Sequence, residues 1–233
     1  MKIRNPFKNF TKFEWALWLL SLVGILTAFF AAQNTDYATL AVSLIGVTAL
    51  IFAARGDPFG MILMIAFSAI YAFVSYVFGY YGEMIIYIAM QLPSAVLSLI
   101  SWLRHPNDKD GAEVKIGTLK RVHIIVLIPL AIGITVAFYF ILKAFNTANL
   151  IPSTVSVFTS FVALYLMVLR IPCYAVAFIF NDIVLIVLWS LACLQSLNYI
   201  ALVVCFSIFL INDTYTFICW TLRKKKQQLA AVE

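Results

Sequence analysis

The sequence has little charge: Asp, Glu, Lys and Arg make up 11% of its 233 residues, while 64% are hydrophobic. In ordinary globular proteins about 25% of residues are charged, and a soluble domain of this size could not cover so much apolar surface. A lipid bilayer removes this constraint, because its interior is an apolar solvent for the outer face of the protein. The composition therefore excludes a soluble globular protein and predicts a membrane protein.

The sequence also lacks the motifs of common enzymes. It has no Gly-x-x-x-x-Gly-Lys phosphate loop, which excludes ATP hydrolysis by the chain itself, and no His-Glu-x-x-His or Gly-x-Ser-x-Gly. His105 and His123 lie apart beside a basic loop, a poor arrangement for a metal. The four cysteines form no Cys-x-x-Cys pair and are expected to pack as small apolar residues. We therefore expect a protein without a cofactor, a metal ion or enzymatic activity. Asp182 and Asp213 could form a carboxylate pair, so an intramembrane enzyme is kept as a further functional class.

Eight apolar runs are long enough to cross a bilayer core, which takes about 17–25 residues. Runs such as 124–141 show no period-two alternation, which favours helices over the strands of a closed barrel. The sequence therefore predicts an all-α polytopic protein with a single transmembrane domain (1–233) and one hydrophilic loop, 104–121. The eight runs are 14–32, 36–54, 58–78, 83–103, 122–144, 151–169, 171–193 and 197–221.

The basic residues predict the orientation of the chain. Fifteen of the sixteen Lys and Arg residues fall on one side of an eight-helix topology, and only Lys143 falls on the other. Because cytoplasmic loops are rich in Lys and Arg, both termini are predicted to be cytoplasmic. The net charge of +6 is spread over helix ends, so we expect lipid contact and no nucleic-acid partner. The first run resembles a signal peptide but exceeds the usual 7–15 apolar residues, so we expect it to be retained.

A weak internal repeat links the stretches 36–103 and 151–221. Three landmarks recur in the same order: Arg55, Pro58 and Trp102 in the first stretch, Arg170, Pro172 and Trp220 in the second. The single run 122–144 joins the two units, and an odd connector leaves them parallel. We predict a 3+1+3 core preceded by one extra helix, 14–32. Pro93, inside the run 83–103, is a candidate hinge.

Polar residues inside the apolar runs mark candidate binding positions, because such side chains usually face the protein interior or an aqueous cavity. Amides and carboxylates beside aromatic rings suit a ligand with a flat ring and hydroxyl groups, and a cationic ring is favoured further. Helix packing is the competing interpretation, and for Asp213 an ion pair with Arg170 or Arg223. The candidate substrate-binding residues are Tyr87, Gln91, Tyr174, Asn181, Asp182, Trp189, Asn212, Asp213 and Tyr215.

The end of the last run resembles a known family. It reads Phe209-Leu-Ile-Asn212-Asp213-Thr-Tyr215-Thr-Phe217-Ile-Cys-Trp220, similar to the N-D-x-Y-x-F-x-x-W close of the PnuC vitamin transporters. The stretch Tyr80-Tyr81-Gly82-Glu83-Met84, followed by Gln91 and Trp102, is similar to the first-repeat counterpart of that motif. In length, number of segments and repeat, the resemblance covers the chain after about residue 36.

The resemblance implies a transporter of the bacterial inner membrane, similar in organisation to the SWEET sugar transporters. Its implied activity is facilitated uptake of nicotinamide riboside, a nucleoside-like vitamin that a cytoplasmic kinase traps by phosphorylation. Thiamine, riboflavin or deoxynucleosides are alternative substrates, and a vitamin-binding subunit of an ATP-driven importer is an alternative function. A homo-oligomer is compatible with the sequence, which does not fix the oligomeric state.

One feature departs from the family pattern. Nicotinamide riboside carriers typically have a Trp-x-x-Trp pair beside the substrate, and here the corresponding region reads Arg170-Ile-Pro-Cys-Tyr174-Ala. The resemblance therefore leaves two expectations open. Either Tyr174 and Trp189 stack on the substrate ring instead, or the substrate is another nucleoside or vitamin.

Overall fold

The computed structural model describes residues 7, 10–31, 37–77, 81–107, 113–147, 149–194 and 200–230. Within these ranges, eight helices are long and apolar enough to cross a membrane, which confirms the prediction of an all-α protein with eight spans. They are α1 (Lys12–Ala31), α2 (Tyr37–Ala54), α3 (Phe59–Val77), α4 (Tyr81–Leu103), α5 (Arg121–Ala144), α6 (Leu150–Val168), α7 (Cys173–Cys193) and α8 (Ile200–Leu229).

The helix ends lie within three residues of the predicted run ends, except at the end of α8. Several predicted positions lie outside the described residues: 32, 36, 78, Tyr80, 108–112 and 197–199. Helix α8 continues to Leu229, although its apolar run stops at 221. Its polar extension is held by the segment 113–117: Arg223 bonds Glu113, and the Gln227 side chain accepts from Ile116 N at 2.8 Å and donates to Val114 O at 3.1 Å.

Helix α4 changes its winding in the middle. It consists of an α-helical segment Tyr81–Ile86, a π-helical turn Tyr87–Gln91 and an α-helical segment Leu92–Leu103. Pro93 has no N–H, and its ring crowds the carbonyl group four residues earlier. The preceding turn is therefore wider, and Leu92 N donates to Tyr87 O, five residues back. Such π turns within α-helices are frequent at functional sites.

The turns that end α2 and α6 have the same conformation. Each contains a residue with a left-handed φ, Gly56 at 66° and Arg170 at 58°. The next N–H then donates to a carbonyl five residues back, as in a Schellman motif. These bonds, both 3.0 Å long, run from Asp57 N to Phe52 O and from Ile171 N to Leu166 O. Structurally, Gly56 therefore corresponds to Arg170, and Arg55, which the sequence pairs with Arg170, lies one position earlier.

Two buried tryptophans connect these turns. The indole of Trp102 donates to Met167 O at 3.2 Å, and the indole of Trp220 donates to Ala53 O at 2.9 Å. Ala53 and Met167 each lie three residues before the left-handed residue, where helix carbonyls lack a partner within the helix. The two rings are 5.3 Å apart and fully buried. The contacts are symmetric in the way that the predicted parallel repeat requires, and the repeat itself stays a prediction.

The segment 113–117 crosses the end of the bundle where these turns meet, called here the basic end because Arg55, Arg170 and Arg223 lie there. Its backbone donates from Val114 N to Gly56 O at 3.1 Å and from Gly117 N to Arg170 O at 2.9 Å. It therefore bridges the turn after α2 and the turn after α6.

Replacing Gly117 with alanine is expected to weaken this bridge. A Cβ atom at position 117 would overlap the carbonyl oxygen of Leu169, and backbone cannot move aside as a flexible side chain can. Overpacking of this kind costs about 1–3 kcal/mol. Scanning fluorimetry of the purified protein should show a lower melting temperature for Gly117→Ala. Gly133→Ala is the matched control, since a Cβ there meets nothing within 4 Å. An equal melting temperature for both variants would contradict the prediction.

Helix α1 packs outside the predicted core, against α2 and α8. Its buried Glu14 forms a 2.8 Å ion pair with Arg55, and the Trp18 indole donates to Thr48 Oγ1 at 3.1 Å. On the α8 side, Asn212 Nδ2 donates to Ser21 Oγ at 3.0 Å. The extra helix therefore fastens α2 to α8.

Candidate functional site

A cavity with about 980 Å³ of space, counting its open mouth, lies between α2–α4 on one side and α6–α8 on the other. Three helices from each predicted repeat contribute to its wall. The lining residues include Leu50, Phe67, Tyr71, Glu83, Tyr87, Gln91, Ser156, Ser160, Phe178, Asn181, Asp182, Trp189, Phe206, Phe209 and Asp213.

The structure brings six of the nine candidate residues to this cavity and leaves three elsewhere. The six are Tyr87, Gln91, Asn181, Asp182, Trp189 and Asp213. They come from α4, α7 and α8, the helices whose polar faces the sequence indicated. Tyr174, Asn212 and Tyr215 do not line it.

The three remaining residues make packing contacts. Tyr174 is buried toward the basic end, where its hydroxyl donates to Ala53 O at 3.5 Å and its ring meets Trp220 edge-on at 4.8 Å. Asn212 binds α1 through Ser21, and Tyr215 packs against the ring of Phe13 at 5.1 Å.

An aromatic platform forms one wall of the cavity. The rings of Tyr71 and Tyr87 lie 4.2 Å apart, and Phe67 lies 5.8 Å from each. Trp189 and Phe206 are on the α7–α8 side. Aromatic groups on both sides can hold a flat ring between them.

A fixed amide lies at mid-depth. Asn181 Oδ1 accepts hydrogen bonds from Thr159 Oγ1 at 2.8 Å and from Ser160 Oγ at 2.9 Å, both on α6. These bonds determine the orientation of the amide, so its nitrogen is the group that can donate to a ligand.

Three carboxyl groups reach the cavity: Glu83, Asp182 and Asp213. Asp182 and Asp213 are each 3% exposed and hydrogen-bond to one another. Asp182 Oδ2 is buried and accepts no hydrogen bond from an N–H or hydroxyl group of the described residues. The alternative ion pairs of Asp213 are not formed: Arg223 bonds Glu113, and Arg170 bonds Ser101 and His105.

No Lys, Arg or His is among the described residues that line the cavity. Nor does the described part of the chain contain a group of three His, Cys, Asp or Glu residues that could hold a metal ion. The cavity is therefore acidic and aromatic, which suits a cationic ring with hydroxyl substituents.

Sequence reasoning did not select Glu83, Tyr71 or Phe67 as binding residues. Glu83 lies four residues before Tyr87, one helical turn away, and Tyr71 lies on a polar face of α3 with Ser68 and Ser75. These spacings are the features of the sequence that could have indicated both residues as cavity residues. The predicted run 83–103 places Glu83 at the edge of the span, whereas α4 begins at Tyr81.

Comparison with known proteins gives three matches. The family model named nicotinamide mononucleotide transporter matches residues 36–222. The nicotinamide riboside transporter PnuC of Neisseria mucosa is 26% identical over 225 residues, which cover 94% of this chain and 84% of that protein. A crystal structure of the vitamin B3 transporter PnuC superposes with a TM-score of 0.77 at 25% identity and covers 95% of both chains.

Proposed function

Because the chain belongs to the nicotinamide mononucleotide transporter family, we propose that it is a membrane transporter whose substrate is nicotinamide riboside. The observation that carries this proposal is the acidic, aromatic cavity between the two predicted repeats. Transporters built from repeats bind their substrates near the middle of the membrane, at the repeat interface.

The charge of the cavity favours the riboside over the mononucleotide. Phosphate groups are usually bound by Arg, Lys or backbone N–H groups at helix N-termini. The described lining has three carboxyl groups and no basic side chain, so it would repel a phosphate. The riboside has no phosphate, and its pyridinium ring carries a positive charge.

The aromatic residues offer a substitute for the missing Trp-x-x-Trp. Tyr174 packs toward the basic end and does not line the cavity, so we do not assign it to stacking on the substrate ring. We assign stacking to the Tyr71–Tyr87 pair on one side and to Trp189 on the other. Asn181, Gln91 and the Asp182–Asp213 pair then face the ribose hydroxyls.

The charge bias supports an orientation for the cavity in the membrane. The basic end is cytoplasmic in this proposal, as are both termini, because basic residues accumulate on that side of bacterial inner-membrane proteins. The cavity extends from Asp182, about 14 Å along α7 from the basic end, toward Glu83 near the start of α4. It lies on the outer side of the Trp102–Trp220 contact. The two bundles rock around the substrate, and the π turn before Pro93 is the hinge. A cytoplasmic kinase then phosphorylates the imported riboside and so traps it in the cell.

Thiamine is the second candidate substrate, because it also has a cationic ring that suits acidic and aromatic walls. Riboflavin and deoxynucleosides are neutral and draw less support from the cavity. An ATP-dependent importer subunit and an intramembrane enzyme remain the alternative functions.

The purified chain in liposomes is expected to equilibrate nicotinamide riboside without ATP. Labelled riboside should enter saturably and stop at the outside concentration, whereas the mononucleotide should stay outside. Uptake of thiamine instead would keep the transporter and change its substrate. Binding without uptake would favour an importer subunit, and conversion of the riboside to a product would favour an enzyme. Protein-free liposomes are the control.

A further inference from the structure

The three carboxyl groups of the cavity differ in the protein groups that lie next to them. Asp182 and Asp213 hydrogen-bond to each other across α7 and α8. Glu83 lies apart from them on α4, one helical turn before Tyr87. It is therefore the carboxyl group that stands next to the aromatic platform.

The platform and Glu83 face the same end of the cavity. The rings of Tyr71 and Tyr87 lie 4.2 Å apart with their planes tilted by 33°, and the π turn that begins at Tyr87 places this residue and Gln91 at the cavity wall. A cationic ring that stacks on an aromatic face gains further from a carboxylate nearby, above all where water is partly excluded.

The deeper end of the cavity offers a different group. Asp182 lines the cavity there, and its buried Oδ2 accepts no hydrogen bond from an N–H or hydroxyl group of the described residues, which is costly for a polar atom unless another group satisfies it. An unpartnered acceptor of this kind suits a hydroxyl donor. The two ends of the cavity thus match the two ends of a nucleoside with a charged base.

We infer that Glu83, together with the Tyr71–Tyr87 pair, forms the subsite that recognises the positive charge of the substrate ring, while Asp182 accepts a hydroxyl group at the deeper end. The inference rests on the proposed function and adds to it a specificity-determining residue and an orientation. The base points toward the mouth near the start of α4, and the sugar points to mid-membrane.

The test compares two ligands of nearly equal shape. Oxidised nicotinamide riboside carries the ring charge, and its 1,4-dihydro form is neutral. Equilibrium binding to the purified full chain gives the ratio of the two dissociation constants. The wild-type protein should bind the oxidised form about 10- to 100-fold more tightly, because a cationic ring gains from a desolvated aromatic face and from a nearby carboxylate. In Glu83→Gln this ratio should fall several-fold, mainly through loss of affinity for the oxidised form, while the Tyr71–Tyr87 faces keep the rest of the preference.

Three further variants make the result specific. Glu83→Asp keeps the charge and should keep most of the preference, which also serves if Glu83→Gln folds poorly. Asp182→Asn should weaken both forms alike and leave the ratio unchanged, because the two forms carry the same sugar hydroxyl groups. Glu113→Gln removes a carboxylate outside the cavity and should change neither constant.

The outcomes separate the inference from the function. If the wild-type protein binds neither form, the proposed substrate is wrong. If it binds the oxidised form and Glu83→Gln keeps the wild-type ratio, the inference is overturned and the function stands. A ratio of the two dissociation constants near one in the wild-type protein would also overturn the inference, because the protein would then not distinguish the charged ring from the neutral one.

Discussion

Replacing Trp220 with alanine is expected to destabilise the protein more than any other single change on α8. Its ring is fully buried between Trp102 and Tyr174, and its indole N–H satisfies the carbonyl of Ala53 at the end of α2. Truncation of a buried Trp costs about 3–5 kcal/mol through lost contacts and the cavity left behind. For a chain of this length, such a loss lowers the melting temperature by roughly 10 °C.

A second variant separates packing from hydrogen bonding. Trp220→Phe keeps much of the ring and removes one of the donors to Ala53 O, which still accepts from Gly56 N and the Tyr174 hydroxyl, so it should cost only about 0.5–1.5 kcal/mol. Leu222→Ala, on the same helix at a position 61% exposed, is the control and should change the melting temperature little. Thermal unfolding followed by intrinsic fluorescence or scanning fluorimetry gives all three values. A small effect of Trp220→Ala would mean that the Trp102–Trp220 contact does not hold the basic end together.

The coupling between the two tryptophans provides a further measurement of the same prediction. Trp102→Ala removes the equivalent bond to Met167 O, so alone it should cost about as much as Trp220→Ala. The double variant should cost clearly less than the sum, because residues in contact share the energy that each single change removes. Strict additivity would show that the two symmetric contacts act independently.

The spans could be predicted from the sequence because they depend on properties of each segment alone. A helix in lipid needs enough apolar residues to cross the core and satisfies its own backbone, so its ends follow from composition. The exception confirms this reason: α8 extends past Arg223 because Gln227 and Arg223 bind the segment 113–117, which composition does not reveal.

Which candidate residues line the cavity could be predicted only in part, because the direction that a side chain faces depends on how the whole bundle packs. Asn212 and Asp213 are adjacent on α8, and their side chains point about 100° apart. The sequence could not say which of them faces the cavity. The position of α1 decides it: Ser21 binds Asn212, and Asp213 is left to meet Asp182 on α7. Tyr215 follows Asn212 to the α1 side, where it packs on Phe13.

Trp189→Ala is expected to weaken the binding of nicotinamide riboside by roughly 10- to 100-fold, because stacking of a base on an aromatic side chain contributes about 1–3 kcal/mol. Trp189 lies opposite the Tyr71–Tyr87 pair, and the sequence lacks the Trp-x-x-Trp that would otherwise supply this surface. Trp189→Phe keeps an aromatic face and should retain most of the affinity. Equilibrium binding to the purified protein measures all variants.

Trp15→Ala is the matched control for this prediction, since Trp15 packs near Phe7 and Phe10 outside the cavity. It should leave the dissociation constant unchanged. If Trp189→Ala binds as tightly as the wild type while Tyr87→Ala does not, one aromatic wall is enough to hold the ring, and α7 contributes its amide and carboxyl groups alone. If neither change affects the affinity, the ring does not lie between these walls. The missing Trp-x-x-Trp then has no substitute in this cavity, and a substrate without an aromatic cation becomes the better interpretation.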